Sequence, residues 1–222
     1  MLHPSRVERR HNAPPSAGQR VSPGQSSAVA IDRPWSEEHR LVASCSTTRG
    51  PLVVATQVGH YVPTTGADHA AFQAVVADRT GEPVVISDNE ISMPAEGWEL
   101  RTSGLWADHI CETPMEHWSY GLEAFALRIE DPTELLGRGY GERVPLGWEL
   151  EFEATDEPVV ASGEAYAQSG TLHGLLLLAD GEVEVEGPAL RSHRWGAGTH
   201  PPGPLGGVAL PTPIEVWWVE AV

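Results

Sequence analysis

Residues 147–154, GWELEFEA, alternate without a break: Trp148, Leu150 and Phe152 fall on one side of an extended chain and Glu149, Glu151 and Glu153 on the other. A strand written this way has one dry face and one wet face, the pattern of an antiparallel sheet packed on a single side. The same texture runs outward from it. Downstream, GEVEVEG turns Val183 and Val185 inward and Glu182, Glu184 and Glu186 outward, after a hairpin expected about Asp180-Gly181. Upstream, Phe125, Leu127 and Ile129 alternate with Arg128 and Glu130, which predicts a half-buried strand. LVVATQV at 52–58, AFQAVVAD at 71–78 and PVVISD at 83–88 read as further strands, the last two flanking a Gly-containing turn at 79–82. Eight to eleven short strands and no amphipathic helix predict an all-β, antiparallel barrel or sandwich.

The ends have a different texture. Residues 1–34 are rich in Pro, Ser, Gly and Arg without periodicity, which predicts a disordered extension ahead of a β domain over 35–196. Residues 197–222 read as a Pro/Gly-rich linker and an apolar terminal strand holding Trp217 and Trp218. Glycines 137, 139 and 141 mark a loop, and their GxGxG spacing is not a dinucleotide fingerprint.

Composition excludes several classes of function. The net charge is −17, and residues 41–222 hold eight Arg against 27 acids, so the body repels phosphate backbones and no nucleic-acid partner is expected. All fourteen basic residues are Arg, which removes every mechanism that needs a Schiff-base or P-loop lysine. Cys45 and Cys111 are too few for a disulfide scaffold and lack zinc-site spacing, so reduced thiols in a cytoplasmic protein are expected. No apolar run reaches the length of a membrane span.

The stretch 104–131, GLWADHICETPMEHWSYGLEAFALRIED, sets titratable groups among aromatics and is the best candidate for a lined pocket. Glu116 among aromatics would have its pKa raised by desolvation, which suits a general acid. His117 and His193 are candidates for proton acceptor or water orienter, with Glu116 expected on the face of Trp118 and His117 on the other. Trp106, Trp118, Tyr120, Trp148 and Trp195 are the candidate ligand-binding walls. Asp108, His109, Glu112, Glu116 and His117 follow no recognised ligand spacing, so no metal and no other cofactor is expected.

The segments WELRTSGLWADHICETPMEHWSYGLEAFAL (98–127) and LHGLLLLADGEVEVEGPALRSHRWG (172–196) together resemble actinobacterial relatives of hydroxyneurosporene synthase, in the carotenoid 1,2-hydratase superfamily. The resemblance implies a lipocalin-like, calycin-type β-barrel around a hydrophobic small molecule, an isoprenoid, steroid or polyketide. It also implies cofactor-free hydratase, cyclase or isomerase chemistry. Where those relatives read Asp-His-x-Trp-Gly, this chain has Ser192-His193-Arg194-Trp195-Gly196, and loss of that acid favours a non-catalytic lipocalin-like binding protein. The relatives also continue into further strands, so a third expectation is a truncated member whose unfinished barrel edge pairs with another chain, as in a homodimer.

Overall fold

The computed structural model describes residues 34–78, 82–130, 141–162 and 164–197. They form eleven strands and, among these residues, no helix: β1 (Trp35–Cys45), β2 (Leu52–Val62), β3 (His69–Asp78), β4 (Val84–Ser92), β5 (Leu100–Thr102), β6 (Leu105–Thr113), β7 (His117–Arg128), β8 (Glu142–Ala154), β9 (Val159–Ser162), β10 (Ala165–Leu178) and β11 (Gly181–Ala197). The expected disordered extension, the turn at 79–81, most of the glycine loop and the strand with Trp217 and Trp218 lie outside the described residues.

The strands hydrogen-bond in the order β4-β3-β2-β1-β11-β10-β8-β7-β6-β5, and β9 adds to the start of β10. Val84 and Val85 of β4 also pair with Arg128 and Leu127 at the end of β7, which closes the path into a ring. The fold is therefore an all-β antiparallel barrel. Chain neighbours are sheet neighbours around most of the ring; the exceptions are β8 on β10, β4 on β7 and, at the longest range, β1 on β11, in register from Trp35↔Ala197 to Ala43↔Ala189. With both sides of β1 paired, the expected unfinished edge is absent there.

Side-chain parity follows the alternation in the sequence. Trp148, Leu150 and Phe152 of β8 point inward, as do Val183 and Val185 of β11, and they meet Leu41, Ala43, Val54, Phe72, Leu122, Leu172 and Leu176 in one core. Phe152 packs against Gly170, where a Cβ would collide with its ring, so β8 and β10 approach closely at that point.

Two local expectations are corrected. On β7 the inward positions are Trp118, Tyr120, Leu122 and Ala126, so Phe125 stands on the outer face at 60% exposure. Leu127 and Ile129 share that parity but are covered, packing with Val75, Ala77 and Val85 in a separate outer cluster. The apolar alternation at 125–129 thus marks a second small core rather than the barrel interior. The second hairpin loop is Ala179-Asp180, because Leu178 pairs with Gly181, and of these residues only Gly181 takes a positive φ, at 121°.

This parity separates two substitutions on the same strand. Leu122→Ala should cost about 2–5 kcal/mol by opening a cavity in the core, whereas Phe125→Ser should stay within about 0.5 kcal/mol. Urea unfolding of both variants measures the difference.

Candidate functional site

The barrel interior is not uniformly apolar. Toward Cys45 on β1 it is lined by Leu52, Val54, Val76, Val183 and Val185, but toward Trp35 the inward positions become Glu37 and His39. β11 changes in step, with Arg191, His193 and Trp195 following Ala189 on the same face. Because β1 and β11 are antiparallel and in register, His39 lies directly opposite His193, and the two rings stack with centroids 4.0 Å apart. Both imidazoles reach one carboxylate oxygen: His193 Nε2 is 2.9 Å and His39 Nε2 3.3 Å from Glu37 Oε1.

Aromatic rings enclose this group. Trp98 and Trp118 lie 5.2 and 5.5 Å from the His39 ring, and Tyr166 and Trp195 lie 5.4 and 4.7 Å from the His193 ring. One position along β11, the Arg191 guanidinium rests 3.9 Å from the centre of the Trp118 ring and donates to the Tyr166 hydroxyl at 3.1 Å. Arg191 is 1% exposed, yet no carboxylate among the described residues pairs with it, and its Nε and Nη2 have no partner. The contrast with the outer face of β1 is direct: there Arg40 holds Glu38 at 3.0 Å, and Glu38 also accepts from the Tyr61 hydroxyl. Further buried polar atoms without partners gather on the same inner wall, namely His39 Nδ1, His109 Nδ1, Trp118 Nε1 and Gln168 Oε1.

The surroundings set the charge states. Burial pushes the His39 pKa down to about 4, outweighing the Glu37 hydrogen bond that raises it, with the charges of His193 and Arg191 adding to the depression. Burial, then the charges of His39 and Arg191, push His109 down to about 3, and its Nε2 sits 3.4 Å from the Thr56 hydroxyl. Desolvation would raise Glu37, but the hydrogen bonds from His193 and His39 prevail and hold its carboxyl well below the ordinary range. At neutral pH the wall therefore presents a carboxylate, neutral imidazoles at His39 and His109, and an arginine cation.

The residues singled out from sequence divide between the two faces. His193, Trp118, Tyr120, Trp148 and Trp195 are interior, with Trp148 deep in the apolar half against Leu122 and Leu176. Glu116 is not on a strand: it sits exposed in the Pro114–Glu116 turn before β7, so it does not share a face with Trp118. His117 opens β7 on the outer face and pairs with Glu151 at 2.7 Å. Trp106 is also outward, donating to Glu99 and covering Gly121. Glu37, His39 and Arg191 were missed. WSEEHRLVASC (35–45) carries the signal for the first two, since Trp35, Glu37, His39, Leu41, Ala43 and Cys45 alternate with the residues between them.

No family model and no curated protein sequence matches the chain. A crystal structure from Nitrosomonas europaea, described as a candidate AttH, aligns at 10% identity with a TM-score of 0.48. The alignment covers 75% of this chain and 53% of that one, so this chain spans about half the length of that structure.

The buried imidazoles give the site a signature in acid. Their folded pKa values lie below the unfolded 6.5, so the unfolded chain takes up protons first, and the stability they contribute is lost as pH falls below about 6.5. Between pH 7.5 and 5 the loss should be on the order of 2 kcal/mol for each histidine. Urea midpoints against pH check this, and His109→Leu should remove its share of the slope.

Proposed function

We propose that the barrel binds an apolar small molecule carrying an acidic head group, with the head seated on Arg191 and the body against Trp118, Tyr120, Tyr166 and Trp195. The observation that carries this reading is Arg191 itself, a fully buried cation with two unbonded N–H groups in a chain with acids to spare. An unpaired interior charge costs several kcal/mol. A carboxylate is the partner that fits a guanidinium presenting Nε and Nη2 on one edge, because it accepts two parallel hydrogen bonds. Entry is from the β1 start, where Glu37 and His193 keep 29% and 18% of their side-chain surface. The resemblance to hydroxyneurosporene synthase relatives supports an isoprenoid, steroid or polyketide body.

A second reading, turnover of the bound molecule by hydration, cyclisation or isomerisation, is favoured by the carboxylate shared between His39 and His193 beside Arg191. A pair of imidazoles on one carboxylate can hold and pass a proton. His193 keeps its expected place in this reading, while Glu116 and His117 are too exposed to share it.

Dodecanoate and dodecanol, compared by tryptophan fluorescence titration, test the proposal. The acid should bind more tightly than the alcohol, and Arg191→Met should weaken the acid by about 10–100-fold while leaving the alcohol unchanged. Arg191→Met should also unfold at no lower urea concentration than the parent, since replacing a buried unpaired charge with an apolar side chain is neutral or stabilising. Equal binding of acid and alcohol, or an Arg191→Met variant that retains the acid, would overturn the reading.

A further inference from the structure

We propose that Glu37, His39 and His193 form a binding site for a divalent transition-metal ion of the zinc class. The site would use Oε1 of the carboxylate and Nε2 of each imidazole. Three features of the geometry support it.

The first is spacing. The two imidazole nitrogens stand 3.3 and 2.9 Å from Glu37 Oε1, and all three donor atoms lie within 4.8 Å of one another. Donors bound to zinc at about 2.1 Å in tetrahedral geometry are about 3.4 Å apart, so the three donors have nearly the spacing of a ligand shell, which the two stacked imidazoles would complete by turning their Nε2 lone pairs toward the ion. In the ion-free state two N–H groups converge on one oxygen, and an ion seated between the three atoms replaces both hydrogen bonds with metal bonds.

The second is how the donors are held. Glu37 and His39 are i and i+2 on β1, so they share a face, and His193 is the register partner of His39. All three positions are fixed by paired backbone rather than by loops. The rings of Trp98, Trp118, Tyr166 and Trp195 restrict the imidazoles further and lower the local dielectric.

The third is chemistry. Two imidazoles and one carboxylate suit zinc, iron(II), cobalt(II) or nickel(II), and they suit magnesium or calcium poorly, because those ions take oxygen ligands. Three protein ligands leave a coordination position open, which distinguishes a working site from a closed structural one. No arginine pairs with Glu37 among the described residues, so its carboxylate charge is available to the ion. The inference does not depend on ligand binding at Arg191: the metal triad and the acidic-ligand seat use different side chains and can fail separately.

Full-length protein stripped with a chelator and titrated with Co2+ and Zn2+ tests the site, by visible absorption and calorimetry respectively. One ion per chain is expected, with no comparable uptake of Mg2+. Glu37→Gln and His193→Asn, each checked for folding by circular dichroism, should weaken binding by at least about 100-fold. His193→Cys should retain Co2+ and add a thiolate-to-cobalt charge-transfer band in the near ultraviolet, a readout that a merely structural histidine would not give. His117→Ala, which removes the outer His117–Glu151 pair, should leave binding unchanged. Absence of stoichiometric binding, binding that survives Glu37→Gln, or a His193→Cys protein whose cobalt spectrum lacks the new band would overturn the proposal.

Discussion

The pairing of β1 with β11 is the constraint on which the rest depends. It joins Trp35–Ala43 to Ala189–Ala197 across most of the described chain, and it converts a meander with two open edges into a ring. It also sets which side chains are inside. With a strand period of two, a slip of one residue on β11 would send Arg191, His193 and Trp195 to the outer face while His39 stayed within. The apolar residues of the same strands, Leu41 and Ala43 on β1 with Val183, Val185 and Ala189 on β11, oppose such a slip by their burial. The core therefore fixes the register, and the register assembles the polar group at the other end. Because closure joins positions about 150 residues apart, it is expected to be late and slow compared with the hairpins.

Much of this could be read from the residues, and the failures have physical causes. Strands such as Glu142–Ala154 and Gly181–Ala197 declare their faces because the outer positions are Glu and the inner ones Val, Leu or Trp. β1 declares its faces only from Leu41 onward: its inward positions at 37 and 39 are themselves polar, so their parity has to be carried back from Leu41, Ala43 and Cys45. At Phe125–Ile129 the contrast is present but misleads, since Leu127 and Ile129 are covered from outside the barrel. Glu116 was placed in the interior by its aromatic neighbours in sequence, yet Met115 with φ 63° and the turn around it carry Glu116 out of the strand. Local neighbourhood located the interior residues Trp118 and Tyr120. It could not locate the residues that meet them, because Glu37, His39 and Arg191 arrive through the β1–β11 pairing.

A barrel of this size can be filled with apolar side chains alone, as its Cys45 end shows with Leu52, Val54, Trp148, Val183 and Val185. At the Trp35 end, Glu37, His39, Arg191 and His193 occupy inward positions, and several of their polar atoms lack partners. Unpartnered buried donors and acceptors oppose folding. They are concentrated at one end of an otherwise complete core. Arg191 is stacked on Trp118 and Tyr166 rather than ion-paired, so its position is held by the rings while its Nε and Nη2 have no partner. The neighbouring His39 is kept neutral by the same apolar walls, which leaves it able to donate a hydrogen bond, accept one, or ligate an ion without first losing a proton.

The most direct test of this account is an NMR titration of the imidazole ring nitrogens in the intact protein, followed through long-range nitrogen–proton couplings. His39 and His109 should remain neutral down to about pH 5, far below an unhindered imidazole, because both are sealed within the closed barrel. Titration of His39 and His109 near 6.5, as for histidines in water, would contradict it, because it would mean that β1 and β11 do not enclose them.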